Sequence, residues 1–291
     1  MSDWTKLLLG FAVSLFCVQL VAEDKAGILL EFGYQKDEDD AEDWSFAMTF
    51  QADEKSWFDV YFHRTKILSI DISQPNPFAN ETSEDLLKYG AGYQLELGDW
   101  QWGFDVSRWT DDKTIESHDL KISPSWKQDS YELGVNAIYR DLEFKVANFN
   151  FSGRTFKEDI TGVGYGIFAS FFPNERWFIN LEANNYDYRG RLIETEAFDF
   201  YTRFIFASDD SVLDKSRGVR VGYSFDLGLQ SVSLDYQQNQ SAFDRINNDQ
   251  LEFNYQFPLN QYLDLRLLVG HSKAESFDGF YYAGLSFVLF N

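Results

Sequence analysis

The stretch QLEFNYQF at residues 250–257, continued after a polar break by LDLRLLV at 263–269, decides the fold. Leu251, Phe253, Tyr255 and Phe257 alternate with Gln250, Glu252, Asn254 and Gln256, and Leu263, Leu265, Leu267 and Val269 take up the same rhythm. A strand sends successive side chains to opposite faces, so each run has one apolar and one polar face. The period of two returns along nearly the whole chain from residue 26. Ile28, Leu30, Phe32 and Tyr34 show it, as do Phe46, Met48 and Phe50, then Tyr89, Ala91, Tyr93, Leu95 and Leu97. Leu133, Val135, Ala137 and Tyr139 repeat it, and so do Val219, Val221, Tyr223 and Phe225. No helical segment or domain boundary interrupts the pattern.

A soluble β-sandwich would also alternate. Here the apolar face carries Phe, Tyr, Leu and Val throughout, while the other face carries Gly, Gln, Asn, Ser and full charges. That is the pattern of a lipid-facing exterior around a wet interior. Tryptophans fall at strand ends: Trp57, Trp100 and Trp177 follow short polar turns, and Trp109 and Trp126 close strands. The expectation is an aromatic girdle at the level of the lipid headgroups.

Composition agrees. Of the 291 residues 18% are aromatic, 29 of them Phe, yet mean hydropathy is −0.36. A chain can be both only if its apolar residues stand singly rather than in the runs of ~20 that a membrane helix needs. Residues 1–22 read as a cleaved signal peptide, with Lys6 near the start, an apolar core from Leu7 to Val18, and Ala22 before Glu23. The one cysteine, Cys17, falls inside that leader, so the mature chain needs no disulfide framework. The formal charge of −22 argues against a nucleic-acid partner, because phosphates would be repelled.

Connections alternate in length. Polar segments at Asp37 to Asp43, Leu68 to Leu87, Thr110 to His118, Asn239 to Asn248 and His271 to Gly279 read as long outer loops. Asp53 to Ser56, Gly98-Asp99, Gln128 to Ser130 and Pro258 to Gln261 read as short inner turns. Counting every alternating run separately gives about 16 strands. The apolar phase slips near Arg140-Asp141 and near Gln230, as a β-bulge would cause. Tyr131 to Phe151 and Gly218 to Gln237 then each become one kinked strand, and the count falls to about 14 within a range of 12–16. The fold class is therefore all-β: an antiparallel up-and-down transmembrane β-barrel over residues 23–291.

The last strand adds a resemblance. Tyr282, Gly284, Phe287 and Leu289 are similar to the C-terminal assembly signal of Gram-negative outer-membrane β-barrel proteins of the porin-like class. Members usually end on an aromatic residue, whereas Asn291 follows Phe290 here. The resemblance implies residence in the outer membrane among lipid and lipopolysaccharide, and insertion by the barrel-assembly machinery acting on that strand. It carries no functional residues over.

Neither His63, His118 nor His271 has a serine two positions on, the spacing that would let both project from one strand face and share a proton. No catalytic, cofactor or metal-ligand set is expected, and the reading is not an enzyme. The acidic run Asp37 to Asp43 lacks the Gly and Glu of an EF-hand, leaving at most a loose hold on divalent cations. Strand phase points Glu31, Asp59, Glu96, Asp105, Lys121, Glu132, Arg203, Arg220, Asp226, Asp235, Glu252, Asp264 and Arg266 into the lumen. Acids exceed bases, so the expectation is a passive, mildly cation-preferring pore for small hydrophilic solutes. The rival reading is a closed barrel with a structural, adhesion or assembly-partner role. An outer-membrane hydrolase stands third.

Overall fold

The computed structural model describes residues 27–38, 41–70, 81–111, 115–147, 155–189, 212–225, 230–242, 245–275 and 279–290. Period-two alternation becomes fourteen strands: β1 (Ile28–Asp37), β2 (Glu42–Asp53), β3 (Ser56–Ile70), β4 (Glu81–Leu97), β5 (Trp100–Thr110), β6 (Ile115–Gln128), β7 (Tyr131–Ala147), β8 (Thr155–Phe171), β9 (Trp177–Arg189), β10 (Leu213–Ser224), β11 (Ser231–Ser241), β12 (Asn247–Asn260), β13 (Leu263–Ala274) and β14 (Phe280–Phe290). Each pairs antiparallel with its sequence neighbours, and β14 closes on β1 through pairs running from Leu29↔Phe290 to Asp37↔Tyr282. Closure leaves no unpaired edge, the condition for a sheet to survive in hydrocarbon. The signal-peptide reading of residues 1–22 lies outside the described residues.

The apolar set faces outward. Phe104, Val106, Val135, Ile167, Leu251 and Val269 are 40–65% exposed on the bare protein, which only lipid could make favourable over so wide a band. Neighbouring strands lock these side chains together: Phe32 meets Phe46 at 4.9 Å between ring centroids, and Phe50 stacks on Phe58 at 5.2 Å.

Most strands, up to 17 residues long, outrun the ~9–11 residues of a tilted membrane span. Their surplus lies at the end where the longer connections are, here the loop end; both chain termini and the short turns mark the turn end. Near the loop end, outward positions become polar and pair laterally, as in Arg64–Asp85 at 2.8 Å and Arg108–Glu116 at 2.7 Å. Polarity on both faces hides strand character from the alternation. The five segments read as long loops therefore shrink: strands run through Leu68–Ile70, Glu81–Leu87 and Ile115–His118, and β2 begins at Glu42. The described ends of the acidic run are tied down. Asp37 accepts the backbone N–H of Ala41 at 2.8 Å, and Asp43 accepts the Thr65 hydroxyl at 2.7 Å.

The strand count agrees with the sequence, but the allotment differs in one place. Gly218 to Gln237 is not one kinked strand. It is the hairpin of β10 and β11, closed by Phe225 N–H to Gln230 O at 2.8 Å. Tyr131 to Ala147 is one strand, as expected, yet it holds no bulge: β7 keeps one register against β8 from Tyr131↔Phe171 to Ala147↔Thr155. The apparent slip at Arg140-Asp141 has another cause. Leu142 is apolar because it is buried inside the barrel.

It belongs to a dry cluster at the loop end of the lumen, formed by Leu86, Trp109, Ile115, Leu142, Ile160 and Val212, with Tyr188 and Ala242 against it. Trp109 is 0% exposed at its centre, so it is no part of the headgroup girdle. Trp57 also takes an inward register position, paired with Gln51 and Gln94. Trp100 and Trp177 do face outward, 52% and 44% exposed. An even–odd pattern identifies a two-faced strand, but it does not forbid an apolar residue on the wet side.

Candidate functional site

Beneath the cluster lies a buried ion pair. Arg140 donates to Asp119 through Nε at 2.9 Å and Nη2 at 2.7 Å, and the Ser117 hydroxyl donates to Asp119 at 2.6 Å. The guanidinium sits 6.0 Å from the Trp109 ring and 5.6 Å from that of Tyr186. Glycines make the room. Gly162 and Gly164 of β8 have no side chain where Tyr188 and Tyr186 lie against the wall; a Cβ at either would come within 2.6–2.8 Å of those rings. Gly134 likewise gives its space to Phe168.

Below this layer the lumen is polar and hollow. One cavity of about 610 Å³ faces Asp59, Tyr61, Asp105, Lys121 and Glu182. A second of about 530 Å³ faces Asn136, Phe168, Arg220 and Asp235. They adjoin, sharing Lys121, Phe168, Glu182 and Gln237 in their walls.

Residues expected in the lumen from strand phase fall as follows. Glu31 accepts from Arg266 at 2.7 Å and from the Ser286 hydroxyl at 3.2 Å. Glu96 meets Lys127 at 3.2 Å, and Arg220 pairs with Asp235. Asp105 accepts the Tyr61 hydroxyl at 2.9 Å, with Asp59 lying over Gly92 nearby. Lys121 stands 4.0 Å from Glu182, and Glu132 accepts the Ser125 hydroxyl at 2.6 Å. Glu252 accepts from Asn254 at 2.7 Å, and Asp264 from Gln256 at 2.7 Å. Arg203 and Asp226 lie outside the described residues. Apart from Asp59, the described charges are each tied to another side chain of the wall, and the cavities between them stay open.

The sequence reading missed Asp119, Arg140, Glu182, Asn136 and Asn184. Asn136 and Arg140 lay within reach of a simple rule: carrying the period of two unbroken along β7 would have placed Gly134, Asn136, Ile138, Arg140 and Leu142 on one inward face. The three histidines do not converge. His63 lies inward beside Tyr61, while His271 packs on Tyr281 and His118 is 58% exposed. Among the described residues no three His, Cys, Asp or Glu side chains gather as metal ligands.

One rung across the wall runs Asn136, Gly166, Asn184 and Ser216. Asn136 Nδ2 donates across Gly166 to Asn184 Oδ1 at 3.2 Å and also to Glu182 at 3.1 Å; Asn184 Nδ2 donates to Glu182 at 2.9 Å and to Ser216 at 3.1 Å. A Cβ at Gly166 would come within 1.9 Å of Asn184 Oδ1 and 2.6 Å of a backbone carbonyl. Gly166→Ala is therefore expected to destabilise the barrel by about 1–3 kcal/mol. Urea unfolding in lipid vesicles checks it, and an unchanged midpoint would mean that the amide pair moves aside freely.

No family model matches the sequence, and neither does any curated protein. Solved structures do. The outer-membrane OmpT of Vibrio cholerae superimposes with a TM-score of 0.51 over 92% of this chain and 97% of its own, at 8% identity. Its loop L8 deletion mutant gives 0.50 over 92% and 98%, also at 8% identity. OccAB3 of Acinetobacter baumannii aligns over 93% of this chain and all of its own at 12% identity, with a TM-score of 0.45. At such identities the likeness concerns the fold, that of the outer-membrane β-barrels.

Proposed function

We propose that the chain is an outer-membrane channel, exported by a signal peptide cleaved near Ala22, that passes small hydrophilic solutes passively with a mild preference for cations. The observation that carries this reading is the pair of adjoining cavities, about 610 and 530 Å³; around the larger one Asp59, Asp105, Asp119, Glu132 and Glu182 outnumber Lys88, Lys121 and Arg140. An inner surface of carboxylates, amides and hydroxyls replaces part of a solute's hydration at little cost, and an excess of negative charge at close quarters favours cations. Asp59 and Asp105 matter most, because they face the larger cavity together, with Lys121 the cross-strand neighbour of Asp105.

Conductance across planar bilayers tests the reading. Under a salt gradient, steps with a cation-favouring reversal potential are expected. Asp59→Asn with Asp105→Asn should move that potential toward zero. Silence at every voltage would sink the channel reading and favour the second one, a closed barrel with a structural or adhesive role. The observation behind that alternative is the dry cluster at the loop end.

A further inference from the structure

On the outer face near the loop end, two arginines are neutralised by the wall and a third is not. Arg64 pairs with Asp85 and Arg108 with Glu116. Arg217 on β10 is exposed and makes no hydrogen bond or ion pair with any described residue. Strand phase sets it outward: Ser216, Gly218 and Arg220 point into the lumen, while Arg217 shares its side with Val219 and Val221, 42% and 37% exposed. The smaller cavity borders β10 at this height, as it also borders Val219 and Tyr236 of the same outward phase.

The neighbours of Arg217 on that face are donors. One rung runs Tyr165, Asn185, Lys215, and the next Ile167, Ala183, Arg217. Neither the Tyr165 hydroxyl nor the Asn185 amide has a partner among the described residues, and Tyr165 is 61% exposed. Three acids stand near. Asp214 lies 3.9 Å from Lys215. Asp187 follows Asn185 on the loop side and is itself followed outward by Arg189. Asp249, two strands away, already accepts from Tyr236 at 2.7 Å and Gln238 at 2.9 Å. Arg189, Lys215 and Arg217 thus outweigh the two nearer acids, on a chain whose formal charge is −22. Height fits as well. On β9 the outward side runs Trp177, Ile179, Leu181 and Ala183 before turning polar at Asn185. That stretch rises ~26 Å along the strand, or about 20 Å once tilted. The lipid band is ~25 Å tall, and long Lys and Arg side chains cover the difference to the headgroups.

We infer that Tyr165, Asn185, Lys215 and Arg217 form a docking site for a phosphate of an outer-leaflet lipopolysaccharide molecule. The inference rests on the outer-membrane placement in the reading above, with the loop end outward, and not on conduction. A guanidinium, an ammonium, an amide and a hydroxyl are all donors, which suits an anion made only of acceptors. The planar fork of Arg217 matches two phosphate oxygens at once. Acyl chains of the same lipid then lie along Ile167, Leu181 and Val219, which are 65%, 40% and 42% exposed on the lipid side.

Native mass spectrometry of the folded barrel in detergent tests it with three probes: a deep-rough lipopolysaccharide, the same lipid stripped of its phosphates, and inorganic phosphate. The phosphorylated lipid is expected to be retained about tenfold more tightly than the stripped one. Lys215→Gln with Arg217→Gln should erase that preference, whereas Arg108→Gln, at an arginine already tied to Glu116, leaves it intact. Equal retention of the two lipids by the unaltered barrel overturns the site, whether or not any variant folds. An undiminished preference in the double variant overturns it too. Inorganic phosphate binding as tightly as the lipid would do the same, in favour of a soluble anion. The two readings fail separately: phosphate-dependent retention by a barrel that never conducts would sink the channel, and conduction without that preference would sink only the docking site.

Discussion

Asp119→Ala is expected to cost the barrel about 3–5 kcal/mol of unfolding free energy, a large effect for one side chain. Its partner Arg140 has a side chain only 8% exposed, wedged between Trp109 and Tyr186. A guanidinium cannot shed its proton to escape burial. With the carboxylate gone, the guanidinium loses its buried counter-charge, and the Trp109 and Tyr186 rings that remain beside it replace that charge only in part. Aromatic faces attract a cation with roughly 0.5–2 kcal/mol, less than the desolvation penalty of several kcal/mol. The double variant Asp119→Leu with Arg140→Leu removes both charges and should recover most of the loss, because an apolar pair of similar bulk extends the dry cluster above. Equilibrium urea unfolding in vesicles, followed by tryptophan fluorescence, gives both numbers. A single variant costing less than ~1 kcal/mol would show that water reaches Arg140 and that the layer is wet.

That buried pair also marks where the sequence stopped being legible. Alternation predicted which face meets lipid for Tyr89 to Leu97, Leu133 to Tyr139 and Leu251 to Phe257, since a lipid-facing side must be apolar without exception. The lumen imposes no such rule. It accepts charge at Arg220, amide at Asn184, nothing at Gly162 and a large ring at Trp109, so an inward residue can imitate an outward one. The run Ile138, Arg140, Leu142 imitated a change of phase in this way. The strand ends near the loops were hidden for the converse reason: past the lipid, as at Arg108 and Glu116, both faces are polar. Residues brought together from distant strands, such as Arg266 and Glu31, shared a predicted face but not a predicted partner. Partnership depends on register around the whole circle, which a one-dimensional pattern does not contain.

The same reasoning places the largest apolar effect at Trp109. Trp109→Ala removes the largest fully buried side chain among the described residues and leaves a void lined by Leu86, Ile115, Leu142 and Ile160, for an expected loss of about 3–5 kcal/mol. Trp109→Phe separates volume from chemistry. It keeps a ring in the cluster and deletes an indole N–H that has no acceptor among the described residues, so its cost should stay under about 1.5 kcal/mol. Under the channel reading the two variants part company electrically as well. The cluster gathers side chains from strands β4 to β8, with Val212 and Ala242 reaching in from just before β10 and just after β11, and so it narrows the loop end of the path. Emptying its centre in Trp109→Ala should raise single-channel conductance, whereas Trp109→Phe should leave the constriction in place. Lower stability with unaltered conductance in Trp109→Ala would mean that ions pass beside the cluster, along the polar wall of β11 to β13 where Asn239, Asn248 and Ser272 lie.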